Sequence, residues 1–216
     1  MRSLVVAAVL ASIAACGRDR AASGTVDTSV VFVAVPASPP DSPQAPVYTT
    51  VGLGTVERDL TGDGLPEILS LIGRGQTIDS MEVTFLITSA GVALYDTRWH
   101  VTRTVGFDAG RRQLSAAEHR ARLKDLGPWF FDDRKFMSPS SFVANLQNSS
   151  RLHIGLIPSV IARDLGSGDT VRAKTIWAQM QASQIIIFEF STGGDGITAI
   201  GWSPSDKRFY NLLECC

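Results

Sequence analysis

Apolar and polar residues alternate along the stretch that follows residue 47. Met81, Val83, Phe85 and Ile87 share one parity, and Glu82, Thr84 and Thr88 the other. A period of two is the signature of a strand with one face buried, so this run predicts a strand at 81–90. Similar patterning predicts strands at 48–57, 67–72 and 92–104, and Ser89-Ala90-Gly91 reads as the turn into the last of these. The middle of the chain then changes period. Ser115-Ala116-Ala117-Glu118 is a capping box that opens a helix over 115–126, which should stop before Gly127-Pro128. Ser138-Pro139 opens a second helix running to 148, a third is expected over 159–165, and Asp169 or Thr170 caps a fourth that reaches 182. Three more strands follow at 184–191, 196–202 and 208–214, joined by Gly-, Asp- and Pro-rich turns. The order predicts an α+β fold: a mostly antiparallel sheet, with the helices of the middle of the chain packed to one side.

The first residues follow a different logic. Arg2 precedes an apolar run over 4–9, and small residues then lead to Cys16, which is the layout of an export signal. The run is too short to span a bilayer. Ile13-Ala14-Ala15-Cys16 resembles the lipobox of bacterial lipoproteins. The resemblance implies cleavage before Cys16, a diacylglyceryl thioether on its sulfur and acylation of the new amino terminus. Several acyl chains together give stable anchoring to a membrane. The plain alternative is a signal cut elsewhere, with Cys16 left as a free thiol. Gly17, rather than Asp, follows the cysteine; in the family's sorting rules that implies the outer membrane of a cell with two membranes, and in either case the cell envelope.

Residues 17–46 are rich in Ala, Ser and Pro, with five prolines in the last eleven positions, so they read as an extended tether. The apolar run 30–35 interrupts it, either as an edge strand or as a sticky piece of tether. The expected organisation is therefore a signal over 1–15, a lipid-anchored tether over 16–46 and one globular α+β domain over 47–216.

Charge excludes one class of partner. The chain carries 20 Lys and Arg against 21 Asp and Glu, a net charge of −1, and losing Arg2 with the signal takes it to −2. No nucleic-acid footprint is visible. Of three cysteines, Cys16 is committed to lipid, leaving the adjacent pair Cys215 and Cys216. Neighbouring cysteines close only a strained ring, so two terminal thiols are the simpler reading.

The sharpest local signal lies between two predicted strands, in Asp59-Leu60-Thr61-Gly62-Asp63-Gly64-Leu65-Pro66-Glu67. Oxygen-bearing side chains recur at nearly every second place, with glycines that permit a tight bend. A hard cation such as Ca²⁺ takes six to eight oxygens in such a loop. The segment resembles the calcium loops of FG-GAP and VCBS repeats. That resemblance implies one calcium ion wrapped by the loop; the residues themselves offer Asp59, Thr61, Asp63 and Glu67 as side-chain ligands and Leu65 as a carbonyl ligand, and the expected role of Ca²⁺ is to hold two strands in register. Ser70 stands at the twelfth position, where an EF-hand would need a bidentate Glu, and no regular repeat accompanies the loop beyond a faint echo at 164–169. The competing reading is a plain turn whose Asp, Thr and Gly satisfy backbone groups themselves.

Catalytic signals are thin. His100, His119 and His153 fall on separate elements without metal-ligand spacing, and no serine-elbow or phosphate-loop motif is present, so no catalytic residue and no organic cofactor is assigned. Trp129, Phe130, Phe131, Phe136, Trp177 and Trp202 read first as core and second as a platform for a glycan, peptide or envelope protein. Asp108, Arg111 and Arg112 suit a surface anion site, and 192–196 a backbone nest, although both read more simply as soluble loops. Two functional expectations follow. One is a non-enzymatic envelope lipoprotein, a binding or assembly module. The other is an envelope hydrolase in which His100 or His153 beside a carboxylate serves as the base, recognisable by a pocket that gathers a histidine, an acid and a nucleophile.

Overall fold

Two antiparallel sheets and four helices carry the chain. A computed structural model describes residues 49–76, 80–101, 115–148, 156–193 and 196–215. The first sheet is built from β1 (Thr49–Arg58), β2 (Glu67–Gly75), β3 (Glu82–Ser89) and β4 (Val92–His100), in that spatial order. The helices follow as α1 (Ala116–Phe130), α2 (Pro139–Asn148), α3 (Ile157–Asp164) and α4 (Thr170–Ala182). The second sheet is β5 (Phe136–Met137), β6 (Ile187–Gly193), β7 (Gly196–Ser203) and β8 (Arg208–Cys215), again in sequential order. This is the α+β class that the change of period predicts.

The alternation in β3 explains how the layers stack. Val83, Phe85 and Ile87 are buried and face a core shared with Phe188, Phe190, Ile200 and Phe209 of the second sheet, with Phe130 of α1 and with Phe131 just after it. The opposite face of the second sheet presents Ile187, Ala199, Tyr210 and Leu212 to Phe142 of α2, Ile161 of α3 and Met180 of α4. The second sheet is thus a middle layer, covered on one side by the first sheet and on the other by helices. A strand buried on both faces reads as a near-continuous apolar run, which is what Ile185-Ile186-Ile187-Phe188 supplies. The outer face of the first sheet carries no such cover among the described residues. It presents Ile68, Ser70 and Arg74 of β2, Glu82 of β3, and Asp96, Arg98 and His100 of β4, all exposed except the half-buried Ser70.

Helix α1 does not stop where expected. Its capping box forms as read, with the Glu118 N–H donating to Ser115 Oγ at 3.3 Å and the Ser115 N–H donating to Glu118 Oε2 at 2.8 Å. It then runs through Gly127 and Pro128 to Phe130, and the Phe131 N–H closes its last turn on the Gly127 carbonyl at 2.9 Å. Gly127 is there for packing rather than termination. A Cβ on Gly54 of β1 would lie 2.9 Å from the Gly127 Cα, and a Cβ on Gly127 would overlap the Leu53 carbonyl oxygen. Two glycines let the helix backbone rest directly on the strand, at the β-bulge between Gly52 and Gly54. Lys135 completes the end, its Nζ donating to the Trp129 carbonyl at 2.7 Å and lying 3.8 Å from the centre of the Trp129 ring.

Other boundaries shift for local reasons. β4 ends at His100, and 102–114 lie outside the described residues, as do the tether, the apolar run 30–35 and Cys16. Helix α3 starts two residues early because Pro158 suits its first turn. Residues 184–186 have no partner in the strand ladder, so β6 begins at Ile187. The two-residue strand β5 is too short for alternation to reveal.

Replacing Gly127 with Ala should lower the unfolding free energy by about 2 kcal/mol or more, because a backbone contact must open to admit one methyl group. Urea unfolding measures it. An unchanged midpoint would remove the close-approach account of why the helix tolerates Gly127-Pro128.

Candidate functional site

The acidic loop folds around its own backbone. Both oxygens of Asp59 accept main-chain donors, Oδ1 from the Gly62 N–H at 2.7 Å and Oδ2 from the Gly64 N–H at 2.8 Å. Asp63 Oδ1 accepts the Leu65 N–H at 2.8 Å. Glu67 lies deepest. It is 0% exposed; its Oε2 accepts the Leu60 N–H at 2.7 Å and the Thr61 N–H at 3.3 Å, while Oε1 accepts the Thr61 hydroxyl at 3.1 Å. Gly62 and Gly64 take positive φ angles of 74° and 85°, which only glycine adopts freely. The loop also ties the two sheets together. The Ile186 N–H, just before β6, donates to the Leu60 carbonyl at 3.1 Å, and a Cβ on Gly62 would come within 2.9 Å of the Gln184 backbone.

Burial pushes the Glu67 carboxyl above its ordinary range, against the pull of the donors from Leu60 and Thr61; nearby Asp59 adds a smaller push in the same upward direction. The donor set is all oxygen, as a hard cation requires, and an oxygen holding one amide keeps a second lone pair. Leu65, expected to offer its carbonyl, sits at the exposed tip with 64% of its surface accessible. Among the described residues, no group of three or more His, Cys, Asp and Glu side chains is placed to hold a metal ion. What the geometry demonstrates is a clasp in which carboxylates replace the missing partners of a tight turn.

A second site lies at the opposite end of the first sheet. Arg74, Glu82 and His100 occupy one cross-strand row, Arg74 opposite Glu82 in the β2–β3 register and Glu82 opposite His100 in the β3–β4 register. Directly opposed residues have Cβ atoms about 4.5–5.5 Å apart, so three charged or titratable heads stand side by side on one face. With Gly75, Gln76 and Ser80 they line a cleft of about 430 Å³. Gly75 is required there, because a Cβ would come within 2.7 Å of the Met81 Cα.

Only His100 of this group stands out in the sequence, and there it reads as an ordinary strand residue. Arg74, Gln76, Ser80 and Glu82 carry no motif; what joins them is pairing register, visible only once β2, β3 and β4 are aligned. The other candidates disperse. Phe130, Phe131 and Trp177 are buried, while Trp129 is exposed at the end of α1. Asp169 caps α4 through the Val171 and Arg172 amides, and Asp164 accepts the Asn211 N–H at 2.8 Å, so the faint second acidic motif is structural. Asp108, Arg111, Arg112, His153 and Cys216 lie outside the described residues, as do 194–195 of the glycine-rich turn; the His119 and Cys215 side chains are likewise not described.

No protein-family model, curated protein or solved structure gives a significant match to the chain. No described helix is long and apolar enough to cross a membrane.

Three outcomes test the electrostatics. Glu67→Ala should cost about 2–4 kcal/mol in chemical unfolding, since it strands two amides and a hydroxyl at a buried position, whereas Glu67→Gln should cost less. A glutamate pKa raised in the folded state means that the native protein binds more protons. That contribution is therefore fully present below pH 4.5 and fades as pH rises through the folded value, and Glu67→Gln should remove it. Lys135 runs the other way: burial lowers it to about 8 from 10.5, against the pull of Asp132 and Glu189. Unfolding then takes up protons between those values, so this group's contribution should grow from pH 8 towards 10.5; it is read as the difference between wild type and Lys135→Met, because Tyr95 and Tyr210, both raised by burial, pull the other way near pH 10 and above. A difference that stays flat over that window would contradict the burial of this ammonium group.

Proposed function

We propose that the chain is a lipid-anchored envelope protein, attached through Cys16, whose domain is a non-enzymatic binding module taking a small polar ligand in the cleft of Arg74, Glu82 and His100. The observation that carries this reading is the cross-strand row itself. Three polar heads project from paired strands into an open cleft whose volume falls in the range of small-molecule sites. The acidic loop at the other end of the sheet serves the module as a structural clasp. Ca²⁺ on Asp59, Thr61, Asp63, Leu65 and Glu67 would reinforce the same connection, adding charge compensation to a turn already closed by amides. Envelope proteins or glycans remain the wider class of partner for an anchored module of this kind.

A specific observation keeps the enzymatic alternative in view, because the cleft gathers a serine, a glutamate and a histidine in Ser80, Glu82 and His100. The open position weighs against it. Glu82 and His100 are exposed, and acyl transfer depends on a site that excludes bulk water around a preorganised anion-binding pocket.

Three measurements decide among these. Labelling with radioactive palmitate in a bacterial host should mark the wild-type chain and leave Cys16→Ser unlabelled; equal labelling of both would remove the anchor. Calorimetric titration of Ca²⁺ into the purified chain should release heat and raise the melting temperature in wild type, with both effects lost in Asp63→Ala. No heat would leave the loop a metal-free clasp. Hydrolysis of p-nitrophenyl acetate above background, abolished by both Ser80→Ala and His100→Ala, would replace the binding module with the hydrolase.

A further inference from the structure

The geometry points to a zwitterion as the ligand of the cleft: a small amino acid or peptide whose ammonium meets Glu82 and whose carboxylate meets Arg74. This rests on the reading of the cleft as a binding site, and the row of charges carries it. Arg74 and Glu82 face each other across the β2–β3 ladder, with His100 on the far side of Glu82, so the lining alternates between a cation, an anion and an imidazole at steps of about 5 Å. Such a row discriminates by exclusion. A simple anion drawn to Arg74 is repelled by Glu82 in the next position, and a simple cation drawn to Glu82 is repelled by Arg74. A neutral sugar could offer hydroxyls to both heads but no charge to either, and the lining contains no Trp, Tyr or Phe face on which a sugar ring could stack. A molecule carrying both charges a few ångströms apart satisfies the two positions together.

Size and chemistry agree with that class. About 430 Å³ accommodates one or two amino-acid residues, and Gln76 and Ser80 add neutral hydrogen-bonding groups at the hairpin end for a peptide unit or side chain. The guanidinium presents five donors in a planar fork, so it can receive a carboxylate on one edge while keeping another contact on the next. All three side chains of the row are exposed, and none belongs to either core, so each can be replaced without opening a cavity.

The test is a comparison of blocked and free ligands on the full chain. Alanyl-alanine, its N-acetyl form and its C-terminal amide are titrated into wild type, Glu82→Gln and Arg74→Gln. Affinity is followed through backbone amide shifts of Arg74, Glu82 and His100, with circular dichroism to confirm that each variant is folded. The free dipeptide should bind wild type about tenfold more tightly than either blocked form. Glu82→Gln should erase the penalty for acetylation while keeping that for amidation, and Arg74→Gln should do the reverse. Equal binding of free and blocked dipeptides to wild type would overturn the zwitterion and leave the cleft as a site for another ligand. The absence of any shift in the row with all three compounds would overturn both the ligand and the cleft reading.

Discussion

Phe85 is the point through which the two sheets are held together. Its ring lies 5.2 Å from that of Phe130 on α1, and 5.4 Å and 5.1 Å from those of Phe188 and Phe190 on β6, with Phe131 and Tyr95 at the rim. The contacts join the third strand of one sheet, the first helix and the second strand of the other sheet. Tilted and edge-on rings of this kind add directionality to simple burial, so they fix how the layers meet as well as that they meet. The consequence reaches the surface. Once the inner face of the first sheet is committed to Phe85 and its neighbours, strict alternation sends Glu82, Thr84 and Leu86 outwards, and the charged row with them.

Structure set by local chemistry is legible in the sequence, and structure set by distant packing is not. The strands of the first sheet are legible because one face is buried and the other is not, and the capping box at Ser115 and the Asp169 cap are legible because their chemistry is local. Gly127-Pro128 misleads because its cause is distant: the glycine answers to Gly54 and Leu53 on another element, a contact that no local rule contains. That there are two sheets rather than one is also invisible to periodicity, since a middle layer and a buried helix segment share the same apolar run. The cleft is the extreme case. Arg74 and Glu82 are eight positions apart; Arg74 falls beyond the strand expected at 67–72 and Glu82 on the polar face of that at 81–90, and only the hairpin pairs them.

The acidic loop was the loudest signal in the sequence, and the structure explains that loudness without appeal to a ligand. A turn that leaves β1 and enters β2 while also reaching back to Ile186 has many amides to satisfy in little space. Asp59, Asp63 and Glu67 satisfy five of them: Leu60, Thr61, Gly62, Gly64 and Leu65. A motif that resembles a metal loop and a motif that resembles a self-sufficient turn share the same residues for the same reason, since carboxylate oxygens serve amide donors and hard cations alike. Where a carboxylate is as buried as Glu67, the amides come first, because an unpaired buried carboxylate is costly whether or not an ion arrives.

The two ends of the first sheet therefore differ in how their charges are used. At the loop end Asp59, Asp63 and Glu67 each have main-chain partners within the loop, and the loop so fixed holds the first sheet to the second through the Leu60 carbonyl and the Ile186 N–H. At the other end, opposed strands place charged heads beside one another on a face that no other layer covers among the described residues, and the pairing register sets their order. Like charges in such a row would be destabilising, and the alternation of Arg74 with Glu82 avoids that cost. Alternation also preserves a field that reverses sign within a few ångströms, at positions fixed by the ladder beneath them. A surface of that kind selects by the spacing of charge more than by its amount, and its specificity requires no movement of the fold.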